Sequence, residues 1–224
     1  MKSIEYIYPI IGEDRSPLLK NHITQKAVIG NGFFVDNFFI TAEHVKNIKS
    51  STKYILVDGR EYYLNNLLNL PYKSLTYDKE GMPYGHEDID STDIAVYLFD
   101  NLEINSPLRL SDSLPERGQH LHCDFYHSIK DKSLTSQISE IVSSLNLYFW
   151  ETSGVVESED KYFVGNFFGA RMTPAHPNRG SSGSPLYDGN IVYGILHNGE
   201  ENLCGFYSAA HALKLLRENS LLSR

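Results

Sequence analysis

The stretch GNGFFVDNFFITAEHV, Gly30 to Val45, reads as two apolar β-rich runs folded back on each other at Asp36-Asn37, with His44 just beyond the second run. Asp, Asn and Gly tolerate positive φ, so a two-residue Asp-Asn link between apolar runs is hairpin chemistry. The same design repeats outward. KYILVDG, DIAVYLF, QHLHCDFY, YFWETSGVVES, KYFVGNFF, IVYGILH and LCGFYSA follow, with further turn chemistry at Asp58-Gly59 and Asp188-Gly189. Short β-rich runs at this spacing predict an all-β barrel or sandwich. The end of the chain departs from the pattern: SAAHALKLLRENSLL sets Ala209, Leu213 and Leu216 at helical spacing, which predicts a short amphipathic C-terminal helix packed on the second half.

The chain has 224 residues, of which 41% are hydrophobic, enough for one large all-β domain or two small ones sharing an interface. A net charge of −8, with no run of basic residues, excludes a non-specific nucleic-acid binder, because neutralising phosphates takes clustered Lys and Arg. No stretch approaches the roughly 18 apolar residues of a membrane span, and MKSIEYIYPI lacks the apolar segment of a secretory signal, so no membrane and a cytoplasmic location are expected. Cys123 and Cys204 are too few for a disulfide framework and fit a reducing compartment. PYKSLTYDKEGMPYGHEDIDST, Pro71 to Thr92, reads as a long surface loop of the functional kind and leads directly into Asp93. NSPLRLSDSLPERG, Asn105 to Gly118, reads as the connection between two halves, 1–106 and 107–224.

Three segments carry candidate chemistry. In RGSSGSPL, Arg179 to Leu186, the pattern Gly-x-Ser-Gly-x-Pro has a chance expectation of about 0.004 in a chain of this size. Gly180 and Gly183 permit a tight turn that aims backbone N–H groups at a developing oxyanion, so the N–H groups of Gly180 and Ser182 are the candidate oxyanion hole. Ser182 is preferred over Ser181 and Ser184 because it alone is followed by Gly-x-Pro with a Gly two positions before it. A serine at its ordinary pKa needs a positioned base, and His44, just after an apolar strand, can present its ring at a cleft edge. The base in turn needs a buried carboxylate to orient it, and Asp93 opens the strongly apolar run TDIAVYLF, whereas Glu87, Asp88 and Asp90 sit in the polar loop.

Taken together, TAEHV, DIAV and GSSGSP, in that order, resemble the His, Asp and Ser motifs of chymotrypsin-like (trypsin-like) serine peptidases. The resemblance runs from about Gly30 to Leu216 and is closest to the bacterial HtrA-like branch, on the strength of GNGFFVDNFFITAEHV and GFYSAAHALKLL; with few residues after Leu216, no PDZ-type extension is expected. It implies two packed six-stranded β-barrels, the first carrying His44 and Asp93, the second Ser182 and the terminal helix. Val45 stands where the animal digestive enzymes carry a disulfide-bonded Cys. Ser181 stands where they carry an Asp that pairs with a freshly cut N-terminal ammonium, so the oxyanion loop must be ordered by itself or by a partner.

By the same analogy the substrate pocket is bordered by His176 and Pro177, by ILHNG from Ile195 through His197 to Gly199, and by Gly205. Relatives that cleave after Glu or Gln use a pocket His on that strand, but His197 comes one residue later, which would turn it to the other face. Glu200 and Glu201 favour a basic substrate residue instead, and an aliphatic preference stays open. His120 and His122 share one face of a strand, and GHEDIDSTD offers further ligand types, yet no third residue stands at ligand spacing, so no metal or other cofactor is expected. The expected function is limited proteolysis of a protein or peptide substrate, with narrow specificity or a regulatory, operon-encoded partner as restraint. The competing expectation is a catalytically silent module whose groove captures a peptide strand.

Overall fold

The computed structural model describes residues 6–15, 24–50, 52–70, 73–74, 76–77, 83–84, 91–99, 101–102, 104–128, 147–157, 166–173, 180–200 and 202–222. The Gly30–Val45 stretch forms the end of β2 (Thr24–Val35), a two-residue turn and β3 (Phe38–Thr41), with Asp36 at a φ of 52°. β2 also pairs with β1 (Ile7–Arg15), and β1 pairs with β4 (Thr52–Val57). β4 turns through Asp58 and Gly59, both at positive φ, into β5 (Arg60–Tyr63). The residues after β5 then run back against the chain near Asp93: Leu68 N–H donates to Val96 O and Leu98 N–H to Asn66 O, and Leu67 bridges Tyr97. Within the Pro71–Thr92 stretch, β6 (Lys73–Ser74) pairs with β9 (Ser91–Thr92), and β7 (Thr76–Tyr77) with β8 (Pro83–Tyr84). The expected loop is therefore pinned by two short ladders in which Thr and Tyr, good strand formers, take part. With β10 (Ala95–Leu98) on the far side of β3, the sheet order is β10-β3-β2-β1-β4-β5, closed by the 66–68 segment.

The second sheet comprises β11 (Arg109–Leu110), β12 (His120–His122), β15 (Ser153–Glu157), β16 (Phe167–Thr173), β17 (Pro185–Asp188), β18 (Ile191–Glu200) and β19 (Leu203–Ser208). β18 pairs first with β17 and then, along its second half, with β19, which brings the sheet back on itself. The connection predicted between the halves thus contributes β11, parallel to the start of β18. A separate hairpin, β13 (Phe125–Ser128) with β14 (Leu147–Trp150), lies against β1 and β2. The β17–β18 turn falls at Gly189-Asn190, one residue after the predicted Asp188-Gly189.

Two short helices complete the described residues: α1 (Glu43–Asn47) directly after β3, and α2 (Ala209–Glu218) directly after β19. Ser208 caps α2, its Oγ accepting from His211 N–H, and Ala209, Ala212, Leu213, Leu215 and Leu216 form the buried stripe that the sequence pattern predicted. The apolar interior of the first barrel, including Ile10, Phe33, Phe34, Phe39 and Ile40, is continuous with Val192, Ile195, Tyr207 and the α2 stripe. Leu121, Cys123, Val156, Met172, Leu186, Leu196 and Phe206 pack as a second core inside the second sheet. No helix among the described residues is long and apolar enough to cross a membrane.

Candidate active site

β3 and β10 end together. Their last pair is Thr41 with Ala95, so the residues just beyond, α1 on one strand and Asp93 on the other, emerge side by side at one rim of the first barrel. His44 N–H donates to Asp93 Oδ1 at 3.0 Å, and His44 Nδ1 lies 2.8 Å from Asp93 Oδ2. Asp93 is 0% exposed and His44 5%. Burial alone would push the Asp93 carboxyl up; the two histidines hydrogen-bonded to it outweigh that and hold it well below the usual carboxylate range. An ionised carboxylate only accepts, so His44 donates Nδ1–H and leaves Nε2 to take a proton.

The second histidine is His197 of β18, whose Nδ1 lies 2.6 Å from the same Asp93 Oδ2. Its ring is 2% exposed, edge-on to His44 with centroids 5.6 Å apart, and 5.0 Å from the ring of Phe167. The β18–β19 register runs from Leu196↔Phe206 to Asn198↔Gly205, so His197 is the extra residue of a bulge. Leu196 points into the second core, and its neighbour is turned out of that barrel toward the first.

Ser182 lies in the link before β17, between Gly180 and Gly183, whose φ values are +102° and +87°. Of the three serines in GSSGSP, Ser181 and Ser184 are buried and Ser182 is partly exposed. The loop is held from both barrels. Gly183 N–H donates to Leu196 O at 2.8 Å, Ser184 Oγ to Ser181 O at 2.6 Å, and Asn31 N–H of β2 to Ser182 O at 2.7 Å. Gly183 sits so close to the first barrel that a Cβ there would lie 2.1 Å from Asn31 O and 2.2 Å from Thr41 Oγ1. This docking sets Ser182 over the segment that carries His44. Among the described residues, no hydrogen bond joins Ser182 Oγ to His44.

Neither a protein-family model nor a curated protein matches the sequence. Solved structures do match. The inactivated protease paralogue S-I1 of the scabies mite is 13% identical with a TM-score of 0.64, covering 98% of this chain and 95% of its own. The catalytically active tobacco etch virus protease, complexed with product, is 12% identical at 0.57, covering 98% and 80%. The active form of the Rv3671c protease of M. tuberculosis is 13% identical at 0.53, covering 98% and 82%. The fold is the chymotrypsin-like double barrel.

In this double barrel His44 and Asp93 sit just beyond strands β3 and β10 of the first sheet, and the Ser182 loop leads into β17 of the second. His197, expected to border the substrate pocket, has its ring nitrogen Nδ1 on Asp93. Gly199 and Gly205 lie on the adjacent strands β18 and β19; His176 and Pro177 lie outside the described residues. His120 and His122 are both exposed on β12. Asn31, missed in the sequence, is fully buried and joins the barrels: its Nδ2 donates to Gly180 O at 2.7 Å and Tyr126 O at 3.0 Å, while its Oδ1 accepts from Tyr126 N–H at 2.8 Å. The signal for it was an Asn between two glycines inside a strand, where residues without bulk mark close approach of another backbone.

Cation-binding chemistry among the described residues converges on His44, Asp93 and His197, whose ligand atoms lie within 4.8 Å of one another. Those atoms are already hydrogen-bonded together, so a cation would have to displace both Nδ1–H donors. The two thiols offer no alternative nucleophile: both are buried, and burial pushes Cys204 up to about 12 and Cys123 well above its usual value.

Proposed function

We propose that the chain is a serine endopeptidase. In this reading Ser182 Oγ attacks the peptide carbonyl, His44 Nε2 takes the proton and returns it to the leaving amine, and Asp93 orients His44 and balances its charge. The N–H groups of Gly180 and Ser182 hold the oxyanion. The observation that carries the reading is the buried His44–Asp93 pair, bonded at both Oδ1 and Oδ2, under a loop that leaves Ser182 alone of its three serines partly exposed. Asn31 supplies loop order that needs no N-terminal ammonium, which fits Ser181 in place of an Asp. We further propose a cytoplasmic, bacterial-type enzyme near the HtrA-like branch, restrained by narrow specificity or a regulatory partner, with the pocket between Gly199, Gly205 and the His176–Pro177 segment.

A second reading has two observations in its favour: Ser182 Oγ makes no hydrogen bond to His44 among the described residues, and inactivated paralogues share the fold. A silent module that captures a peptide strand would need no such bond. Catalytic hydrogen bonds are commonly long before substrate arrives, so the peptidase reading stands first. A fluorophosphonate probe separates the two. Labelling at Ser182 that disappears in Ser182→Ala and falls steeply in His44→Ala is the expected result; no labelling of the wild-type chain, with a cell extract present as a source of partners, would leave the binding module.

A further inference from the structure

We propose that His197 is a positioning residue for the reaction, a second imidazole that fixes the Asp93 carboxylate through its own Nδ1–H and makes the site sensitive to the proton it carries. The inference rests on the peptidase reading of the site. Its basis is geometric. Asp93 Oδ2 receives two imidazole nitrogens, at 2.8 Å from His44 and 2.6 Å from His197, while Oδ1 receives the His44 backbone N–H. All three side chains are buried to 5% exposure or less. Each donor removes a rotational freedom of the carboxylate: the His44 bonds come from one direction, on α1, and the His197 bond from the other barrel, on β18. The orientation of the base is therefore set across the barrel interface and not within the first barrel alone.

Charge makes the second histidine consequential. With both rings neutral the trio carries one negative charge, and proton transfer from Ser182 to His44 brings it to zero. If His197 is already protonated, that transfer leaves a net positive charge in a dry site, with two imidazolium rings 5.6 Å apart. At an effective dielectric of about 20, unit charges at that distance disfavour the transfer by about 100-fold. Among the described residues, the titratable groups around His197 are His44 of α1, Asp93 before β10 and, behind the Phe167 ring of β16, Tyr207 of β19 with His211 of α2 bonded to it. Asp93 is the acid among them, so the reaction requires both His44 and His197 to be neutral beforehand.

The test is the pH dependence of fluorophosphonate labelling in the wild type, His197→Asn and His197→Leu. Asn places its Nδ2–H where His carries Nδ1–H but does not titrate. The wild-type log rate is expected to fall on the acid side with a slope of about two and the H197N rate with a slope of about one, since a single required deprotonation remains. At neutral pH, H197L should lose about 10- to 100-fold, the worth of one hydrogen bond to a charged group, and H197N should recover most of that loss. Superimposable acid limbs for wild type and H197N, or full activity in H197L, would overturn the proposal. Nitrogen-15 NMR of the imidazoles supplies an arm independent of activity: two Nδ1–H donors on strongly hydrogen-bonded, low-field protons are expected, one of them absent in H197L. A His197 ring protonated only on Nε2 at neutral pH would refute the positioning role whether or not the probe reacts. A wild-type chain that never reacts, yet shows both Nδ1–H signals, would remove the peptidase reading and with it any reaction for His197 to serve, and the proposal would fall for that separate reason.

Discussion

Asn31→Ala is the substitution with the most informative consequences. It removes three side-chain hydrogen bonds at a fully buried position, one to Gly180 O and two that clasp the backbone of Tyr126. At a net ~1 kcal/mol per bond, with a further ~1–3 kcal/mol where a buried group is left unsatisfied, the chain should lose about 3–5 kcal/mol of unfolding free energy. The backbone bond from Asn31 N–H to Ser182 O survives, so the loop should loosen at Gly180 and not detach. The share falling on Gly180, about 1–3 kcal/mol, is expected to slow Ser182 labelling by about 10- to 100-fold at a temperature where the protein remains folded. Asn31→Asp sharpens the expectation. It keeps the acceptor for Tyr126 N–H but turns the donor aimed at Gly180 O and Tyr126 O into a second carboxylate oxygen, so it should be worse than Ala despite being isosteric. Labelling rates are measured under native conditions, and stability by urea unfolding. Wild-type labelling in N31A, alongside the predicted loss of stability, would show that Asn31 joins the barrels without ordering the Ser182 loop.

Two further expectations follow from the same geometry. Gly183→Ala and Gly59→Ala both force an L residue to positive φ, at +87° and +74°, which costs ~1–2 kcal/mol in either place. Only Gly183 also drives a Cβ to 2.1 Å from Asn31 O, while Gly59 has nothing within 4 Å, so G183A should unfold at lower urea by about 2–3 kcal/mol beyond G59A; equal midpoints would contradict the docking of the loop on β2. Asp93, held below the usual carboxylate range, contributes stability that is present above its unfolded value near about 4 and lost as pH falls through its folded value. The difference in unfolding free energy between wild type and Asp93→Asn should therefore shrink as pH is lowered from about 6 toward 3. A difference that stays constant across that window would mean the two histidines do not hold the charge.

How much of this could be read from the sequence depends on how local the cause is. The β2–β3 and β4–β5 turns were legible because Asp36-Asn37 and Asp58-Gly59 carry their own conformational preference, and three of the four residues take positive φ. α2 was legible because its buried stripe repeats within three turns. His44, Asp93 and the Ser182 link stood out because reactive residue types occur at the ends of apolar runs, where a barrel rim brings them to the surface of the core. The β17–β18 turn was misplaced by one residue: Asp188 still pairs with Ile191, and Gly189, at a φ of 55°, opens the turn.

His197 shows where the reading stopped and why. Its strand parity turned it to the other face in the sequence reading, but nothing in the sequence named what waits there: Asp93, separated from it by 104 positions and supplied by the other barrel. Asn31 is the same case, bonded across 149 positions to Gly180. Neither partner leaves a mark on the local pattern, because a hydrogen bond between barrels constrains the two ends and nothing between them. Candidate reactive residues thus stand out by type, while the partners of His197 and Asn31 emerge only when the two barrels are placed face to face. Among the described residues the site has one carboxylate and two imidazoles drawn from opposite barrels, so a small rotation of one barrel on the other would lengthen the His197–Asp93 bond before it disturbed His44, which Asp93 holds from within the first barrel.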